Sequence, residues 1–141
     1  MEKLIPLVEA YGSMKGMSSG KGDMHDMMVV QYITKLIHYV GIAHYMHLNT
    51  RNYAEHKALD EFYKEMPELI DGFAEAFLAT KPGLTIPPYI HGESYDKSSD
   101  MVASLKEGSD HMREMLSPEV VNKLDDVLSQ VNATLYKLQF S

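Results

Sequence analysis

The residues best suited to chemistry are four metal-ligand side chains in one predicted helix. His56 and Asp60 are four positions apart, and so are Asp71 and Glu75. Side chains at this spacing lie one above the other on a helix face. The two pairs are separated by about 22 Å along a helix, so one chain cannot bring both pairs to the same ion. Each pair is therefore predicted to be half of a metal site.

The four positions are symmetric about the middle of the helix. His56 and Glu75 have the same midpoint along the helix as Asp60 and Asp71, because the residue numbers of the two pairs have the same sum. A two-fold axis at about position 65.5 would therefore bring His56 opposite Glu75, and Asp60 opposite Asp71, of an antiparallel copy. We expect a homodimer at the least, with each metal site shared between two chains.

Capping signals and helical periodicity predict four helices. The first covers about residues 24–50 after the N-cap Asp23, with an inward stripe that ends at His44. The second starts at a capping box formed by Asn52 and Glu55 and ends near Ala79. The third covers about residues 98–116, weakened by Gly108, and the fourth opens at Pro118. The predicted inward stripe of the first helix consists of Ile33, Ile37, Val40 and His44.

The second helix separates its apolar residues from its ligand residues. At about 100° per residue, the four ligand residues fall within about 100° of one another, on a different face from the apolar stripe. Pro67 interrupts this helix and is expected to bend it or to remove a backbone hydrogen bond. The predicted core stripe consists of Leu59, Phe62, Met66, Leu69, Ile70, Phe73 and Phe77.

The order of the elements favours one fold class. Residues 82–95, which contain Pro87-Pro88 and Gly92, are predicted to form a long irregular crossover between the second and third helices. Four helices with one such connection match an all-α, ferritin-like four-helix bundle, assigned here to residues 24–141. The Gly-, Ser- and Met-rich residues 1–23 are predicted to be a flexible lead-in.

The ligand pattern resembles that of a known family, the Dps proteins or mini-ferritins. The stretch from Ala43 to Asp60 looks like their ferroxidase signature, in which two His lie 12 apart and an Asp follows the second by 4. His44, His56 and Asp60 fit that spacing, and Asp71 and Glu75 fill the two acidic positions that follow in the family. In that family the site lies at a subunit dyad, with the His and first Asp from one chain and the acidic pair from the other.

The resemblance implies an enzymatic function. His44, His56, Asp60, Asp71 and Glu75 would bind iron at a di-iron or mono-iron site, with Mn or Zn as substitutes. The protein would then be a ferroxidase that oxidises Fe(II) with hydrogen peroxide or dioxygen and stores ferric mineral in a hollow dodecamer. From its position three residues after His44, His47 could support the ligands or act as an alternative ligand, although a surface or hydrogen-bonding role is favoured, and Tyr45 could support the ligands. The alternative is a catalytically inert ferritin-like scaffold or interaction protein, in which the charged stripe only faces water.

Composition excludes several other classes. The 141 residues carry a formal charge of -7, which argues against strong binding to DNA. The absence of cysteine excludes disulfides and cysteine metal sites, and the absence of a long apolar run predicts a cytoplasmic protein with no membrane partner. Methionines concentrated between Met14 and Met28 could suit Cu(I), although methionine more often fills apolar gaps.

Overall fold

The computed structural model describes residues 23–89 and 91–141, which contain five α-helices and no strand. Residues 1–22 of the predicted lead-in at 1–23 lie outside the described residues. The helices are α1 (Met24–Asn49), α2 (Tyr53–Ala79), α3 (Ser98–Ser104), α4 (Ser109–Met115) and α5 (Pro118–Leu138). The all-α helical bundle predicted from the sequence is therefore confirmed. None of the described helices is long and apolar enough to cross a membrane.

The helix termini follow local capping chemistry. Asp23 accepts a hydrogen bond from the Asp26 backbone N–H at 2.8 Å, and the Asp26 carboxylate accepts one in return from the Asp23 N–H. At the start of α2, Asn52 caps the Glu55 N–H at 2.9 Å. The predicted capping box is only half formed there, because the Glu55 carboxylate accepts a hydrogen bond from the Ser98 hydroxyl instead. That bond ties the start of α2 to the start of α3.

Helix α2 is the centre of the bundle and packs between α1 and α5. Six of the seven residues of its predicted core stripe are buried, and Leu69 packs against the core at its edge. The helix continues through the exposed Pro67. The core stripe of α2 was thus predicted correctly, because its apolar residues repeat at helical spacing and its charged residues keep to the other faces.

The single third helix of the prediction is divided in two. Gly108 has a φ of 77°, a left-handed conformation that glycine adopts without the cost paid by other residues, and it stands between α3 and α4. The buried Tyr32 of α1 holds the end of α3, since its hydroxyl donates to the Leu105 carbonyl at 2.6 Å. Burial raises the pKa of the Tyr32 phenol, which therefore stays protonated as the donor.

The inward stripe predicted for α1 is incorrect in part. Ile33 is buried, but Ile37 is 56% exposed and His44 is exposed as well. The buried face is turned toward other positions, among them Leu36, Tyr39, Ala43 and His47. The physical reason is that α1 carries apolar residues around most of its circumference, so periodicity alone does not fix which of them face inward.

Candidate functional site

Three histidines gather where α1 turns into α2. Residues 50–52 link the two helices so that the end of α1 lies against the start of α2. His47 is buried, His56 is half-buried and His44 is exposed. The rings of His47 and His56 stack with their centroids 3.9 Å apart, and the His44 ring stacks on Tyr63 at 4.0 Å. We call His44, His47, His56 and Asp60 the hairpin cluster.

Two reciprocal hydrogen bonds place a hydrogen on the Nδ1 of each stacked ring. The Nδ1 of His47 lies 2.9 Å from the His56 carbonyl oxygen, and the Nδ1 of His56 lies 3.0 Å from the His47 carbonyl oxygen. A carbonyl oxygen can only accept, so each Nδ1 carries the hydrogen and donates it. In a neutral imidazole the other nitrogen, Nε2, then carries a lone pair. Both rings therefore present the nitrogen that a metal ion would bind.

Asp60 completes the hairpin cluster on the α2 side. One of its oxygens lies 3.8 Å from the Nε2 of His47 and 2.8 Å from the Nζ of Lys64, one helical turn further on. The Lys64 ammonium lowers the pKa of the Asp60 carboxyl, and the carboxylate raises the pKa of Lys64 in turn. Asp60 is thus an ionised carboxylate beside an imidazole lone pair, held by a lysine that a cation would have to displace.

The remaining predicted ligands lie elsewhere. Asp71 and Glu75 are exposed further along α2, and no described contact brings them to the hairpin cluster. Tyr45 is 68% exposed. Within the described part of the chain, no three His, Asp or Glu side chains are arranged so as to hold a metal ion. The donors of the hairpin cluster would therefore need further ligands from outside the chain.

Two residues that contact this cluster were not predicted from the sequence. Tyr63 stacks on His44, and Lys64 binds Asp60. The signal for Lys64 was present, because an acidic residue four positions before a lysine is a favourable helical pair. The stacking of Tyr63 depends on the register between two helices, which no spacing within α2 reveals.

A second polar group joins the crossover to α1. His91 is buried, with its Nε2 2.8 Å from the Thr34 hydroxyl and its Nδ1 3.6 Å from a Glu93 oxygen. Burial lowers the pKa of His91, Glu93 opposes that effect, and His38 and Lys35 add to it. Each ring nitrogen faces a polar atom of the chain itself. We therefore interpret His91 as a structural residue that attaches the crossover to α1.

The helices and the hairpin cluster define an all-α bundle protein with a polar cluster at one helical turn. Residues 47–138 match a family of unknown function, DUF5856, and the chain belongs to that family. It is similar to an Enterobacteria phage T4 protein described as an uncharacterized 14.6 kDa protein in the mobD-ri intergenic region, with 28% identity over 122 residues that cover 85% of this chain and 91% of the phage protein. No solved structure matches the chain.

The family assignment corrects the resemblance to the Dps proteins, which is wrong. The match that defines the family covers the whole of α2 to α5 and the last residues of α1, and it leads to DUF5856 rather than to a ferritin-like family. The resemblance depended on five His, Asp and Glu residues within residues 44–75, and charged residues recur at such spacings on any exposed helix face. Its first member, His44, points outward and stacks on a tyrosine.

Proposed function

We propose that two copies of this chain associate in antiparallel orientation along the exposed face of α2 and bind divalent transition-metal ions between them. His47, His56 and Asp60 of one copy would supply one side of each site, and Asp71 and Glu75 of the other copy would supply the second side. The observation that carries the proposal is the pair of reciprocal Nδ1 hydrogen bonds, which leaves an Nε2 lone pair on each ring, that of His47 beside the Asp60 carboxylate.

The donor chemistry supports this assignment. A histidine that binds a metal through Nε2 commonly donates its Nδ1–H to a carbonyl or carboxylate oxygen, which fixes the ring and makes the ligand more basic. His47 and His56 already make such bonds in one chain. The stacked rings and the Lys64 ion pair must shift for the donors to converge on one ion. We expect the carboxylates of the second copy to supply that driving force by completing the site.

The charge distribution along α2 supports antiparallel pairing. On the face that carries the ligand residues, its first half has Lys57 and Lys64 with one acidic residue, Asp60, whereas its second half has three acidic residues and no lysine. The three are Glu68, Asp71 and Glu75, and the acidic Glu61 and Glu65 of the first half lie further round the helix. No lysine or arginine occurs between Lys64 and Lys81. In an antiparallel pair centred at about position 65.5, Lys57 and Lys64 of each helix lie level with about residues 74 and 67 of the other, beside its acidic residues. A parallel pair would place like charges together.

Fe(II) is the substrate ion that we propose, with Mn(II) and Zn(II) as ions of similar ligand preference. Oxidation of Fe(II) by dioxygen or hydrogen peroxide is the activity proposed for the site. The protein residues would bind and position the iron.

A mixing experiment tests the shared site. Zn(II) bound per dimer is measured by native mass spectrometry for Asp60→Ala, for Glu75→Ala and for the isolated mixed dimer. In the mixed dimer both substitutions fall in the same site, so we expect one intact site, whereas each variant alone has two damaged sites. His111→Ala, which removes an exposed histidine outside the cluster, should bind as the unaltered chain does. A mixed dimer without an intact site would refute the sharing.

A second candidate is a non-enzymatic interaction protein, which the exposed apolar residues favour. Five large apolar side chains are exposed at the end of the bundle where α1 meets α2, and the pairing of Lys137 with Glu61 places the end of α5 there too. Aerobic addition of Fe(II) separates the candidates, because an interaction protein would not accelerate formation of ferric iron over buffer. The five residues are Tyr45, Leu48, Tyr53, Tyr136 and Phe140.

A further inference from the structure

The exposed face of α1 carries an apolar stripe that its own chain does not cover. Ile37, Tyr45 and Leu48 are 56%, 68% and 66% exposed. With Gly41 they fall within about 80° on the helix, so they form one strip of surface. We call these four residues the α1 stripe. Strips of this kind on a small protein are typical of interaction sites.

Gly41 is the least expected member of the stripe. It lies in the interior of a 26-residue helix, where glycine is less stable than alanine. A Cβ atom built at Gly41 would meet nothing within 4 Å, and its φ is not positive. Neither backbone conformation nor packing within the chain therefore requires glycine at this position. Close approach of another helix would require it.

The register between α1 and α2 places Gly41 near the proposed two-fold axis. His47 faces His56, and His44 faces Tyr63. Residues level with each other on the two antiparallel helices therefore have numbers that add to about 105. The midpoint of α2 at about position 65.5 is then level with about residue 40 of α1. This level on α1 is derived from contacts between α1 and α2, whereas the two-fold axis was located from residue spacing within α2 alone.

We propose that the α1 stripe packs against the α1 stripe of a second copy, and that the two helices approach most closely at Gly41. This inference rests on the antiparallel dimer of the proposed function. A two-fold axis that lies in the interface and relates the two α2 helices also carries α1 onto the α1 of the other copy at the same level. The occupant is a second copy because the two lysines on the adjoining face of α2 lie beside acidic residues of the same face in an antiparallel copy.

Gly41 allows a test in which two measurements move in opposite directions. Gly41→Ala should raise the melting temperature of the dilute monomer, since alanine is the better helix former. The same methyl group should obstruct the crossing and raise the dissociation constant of the dimer by about tenfold. Gly41→Glu, which places two like charges at the crossing, should raise it further. Sedimentation equilibrium of the full chain gives the dissociation constants.

Gly72 provides the matched control. It also lies inside a helix, and a Cβ there would make only an ordinary contact of 3.7 Å with the Lys123 side chain. Gly72→Ala should raise the melting temperature without changing the dimer. Glu68→Lys changes a charge on α2, so its dissociation constant tests the α2 pairing independently of the α1 contact.

The outcomes separate this inference from the proposed function. Weaker association of both Gly41 variants, with Gly72→Ala unchanged, supports the inference. If Glu68→Lys weakens the dimer while both Gly41 variants associate normally, the α2 pairing stands and the α1 contact is overturned. A chain that stays monomeric at all concentrations, with and without Zn(II), overturns both.

Discussion

The stacked pair of His47 and His56 offers a quantitative test of the hairpin cluster. His47→Ala removes a buried ring, its hydrogen bond to the His56 carbonyl and its stack on the other imidazole. His56→Ala removes the opposite hydrogen bond and the same stack. The two hydrogen bonds involve different atoms, whereas the stack is shared. The pair is therefore suited to a double-mutant cycle.

The expected magnitudes follow from these contacts. Each hydrogen bond contributes about 0.5–1.5 kcal/mol, and a stacked ring pair adds a similar amount. Each single variant should therefore lower the free energy of unfolding by about 1–3 kcal/mol. The double variant should lose less than the sum of the two, and the difference should equal the stack, about 0.5–1.5 kcal/mol.

Urea denaturation, followed by circular dichroism, measures the four free energies, and Zn(II) titration of the same proteins measures metal affinity. Both single variants should lose metal binding, because each removes a proposed ligand. His111→Ala should alter stability by no more than about 0.5 kcal/mol. Strict additivity of the two substitutions, or Zn(II) affinity unchanged in either variant, would refute the reasoning about the stacked pair.

Two further predictions concern the bundle that holds the cluster. Tyr32→Phe leaves the Leu105 carbonyl without its 2.6 Å hydrogen bond, so the free energy of unfolding should fall by about 1–3 kcal/mol in urea denaturation, whereas Tyr136→Phe at an exposed position should change little. An equal response of both tyrosines would contradict that account. Burial lowers the pKa of His91, so the unfolded chain binds a proton at a higher pH than the folded chain does. Stability should be unaffected by His91 above about pH 6.5 and should fall as the pH drops below that value toward the lowered pKa, with a slope of at most about 1.4 kcal/mol per pH unit. Stability curves that run parallel for His91→Gln and the unaltered chain would contradict this prediction.

The features of the fold that were predictable are those encoded by neighbouring residues. The caps at Asp23 and Asn52 each depend on a side chain that accepts from the backbone N–H three positions further on, and the core stripe of α2 depends on an unambiguous helical period. Gly108 was predicted to weaken the third helix, and its positive φ divides that helix in two. Each of these outcomes is decided within a few residues along the chain, so the sequence contains the necessary information.

The features that could not be predicted depend on distant contacts. Glu55 bonds to Ser98 rather than to its own cap, because α3 comes close to the start of α2. The role of His47 depends on the register of two helices, which aligns its ring with His56. Spacing identified candidate donors within α2 and named His47 as a possible support or alternative ligand, but it favoured the exposed His44 as the ligand on α1. Whether Asp71 and Glu75 take part in the site stays a prediction, since their proposed partners lie on another copy.

The error in orienting α1 has the same physical cause as the proposal for its surface. When a helix has apolar residues on most sides, helical periodicity does not show which of them face inward. The sequence does not distinguish residues buried within the chain from residues buried against another molecule. The fold buries Ile33, Leu36 and Tyr39, and it leaves Ile37 and Leu48 exposed. Exposure of those side chains costs free energy in a monomer and is relieved if a second copy covers them. Helix α1 therefore has the apolar residues expected of a helix with two interfaces, one with the core of its own bundle and one with a second copy. Gly41 marks the position at which the two copies would approach most closely.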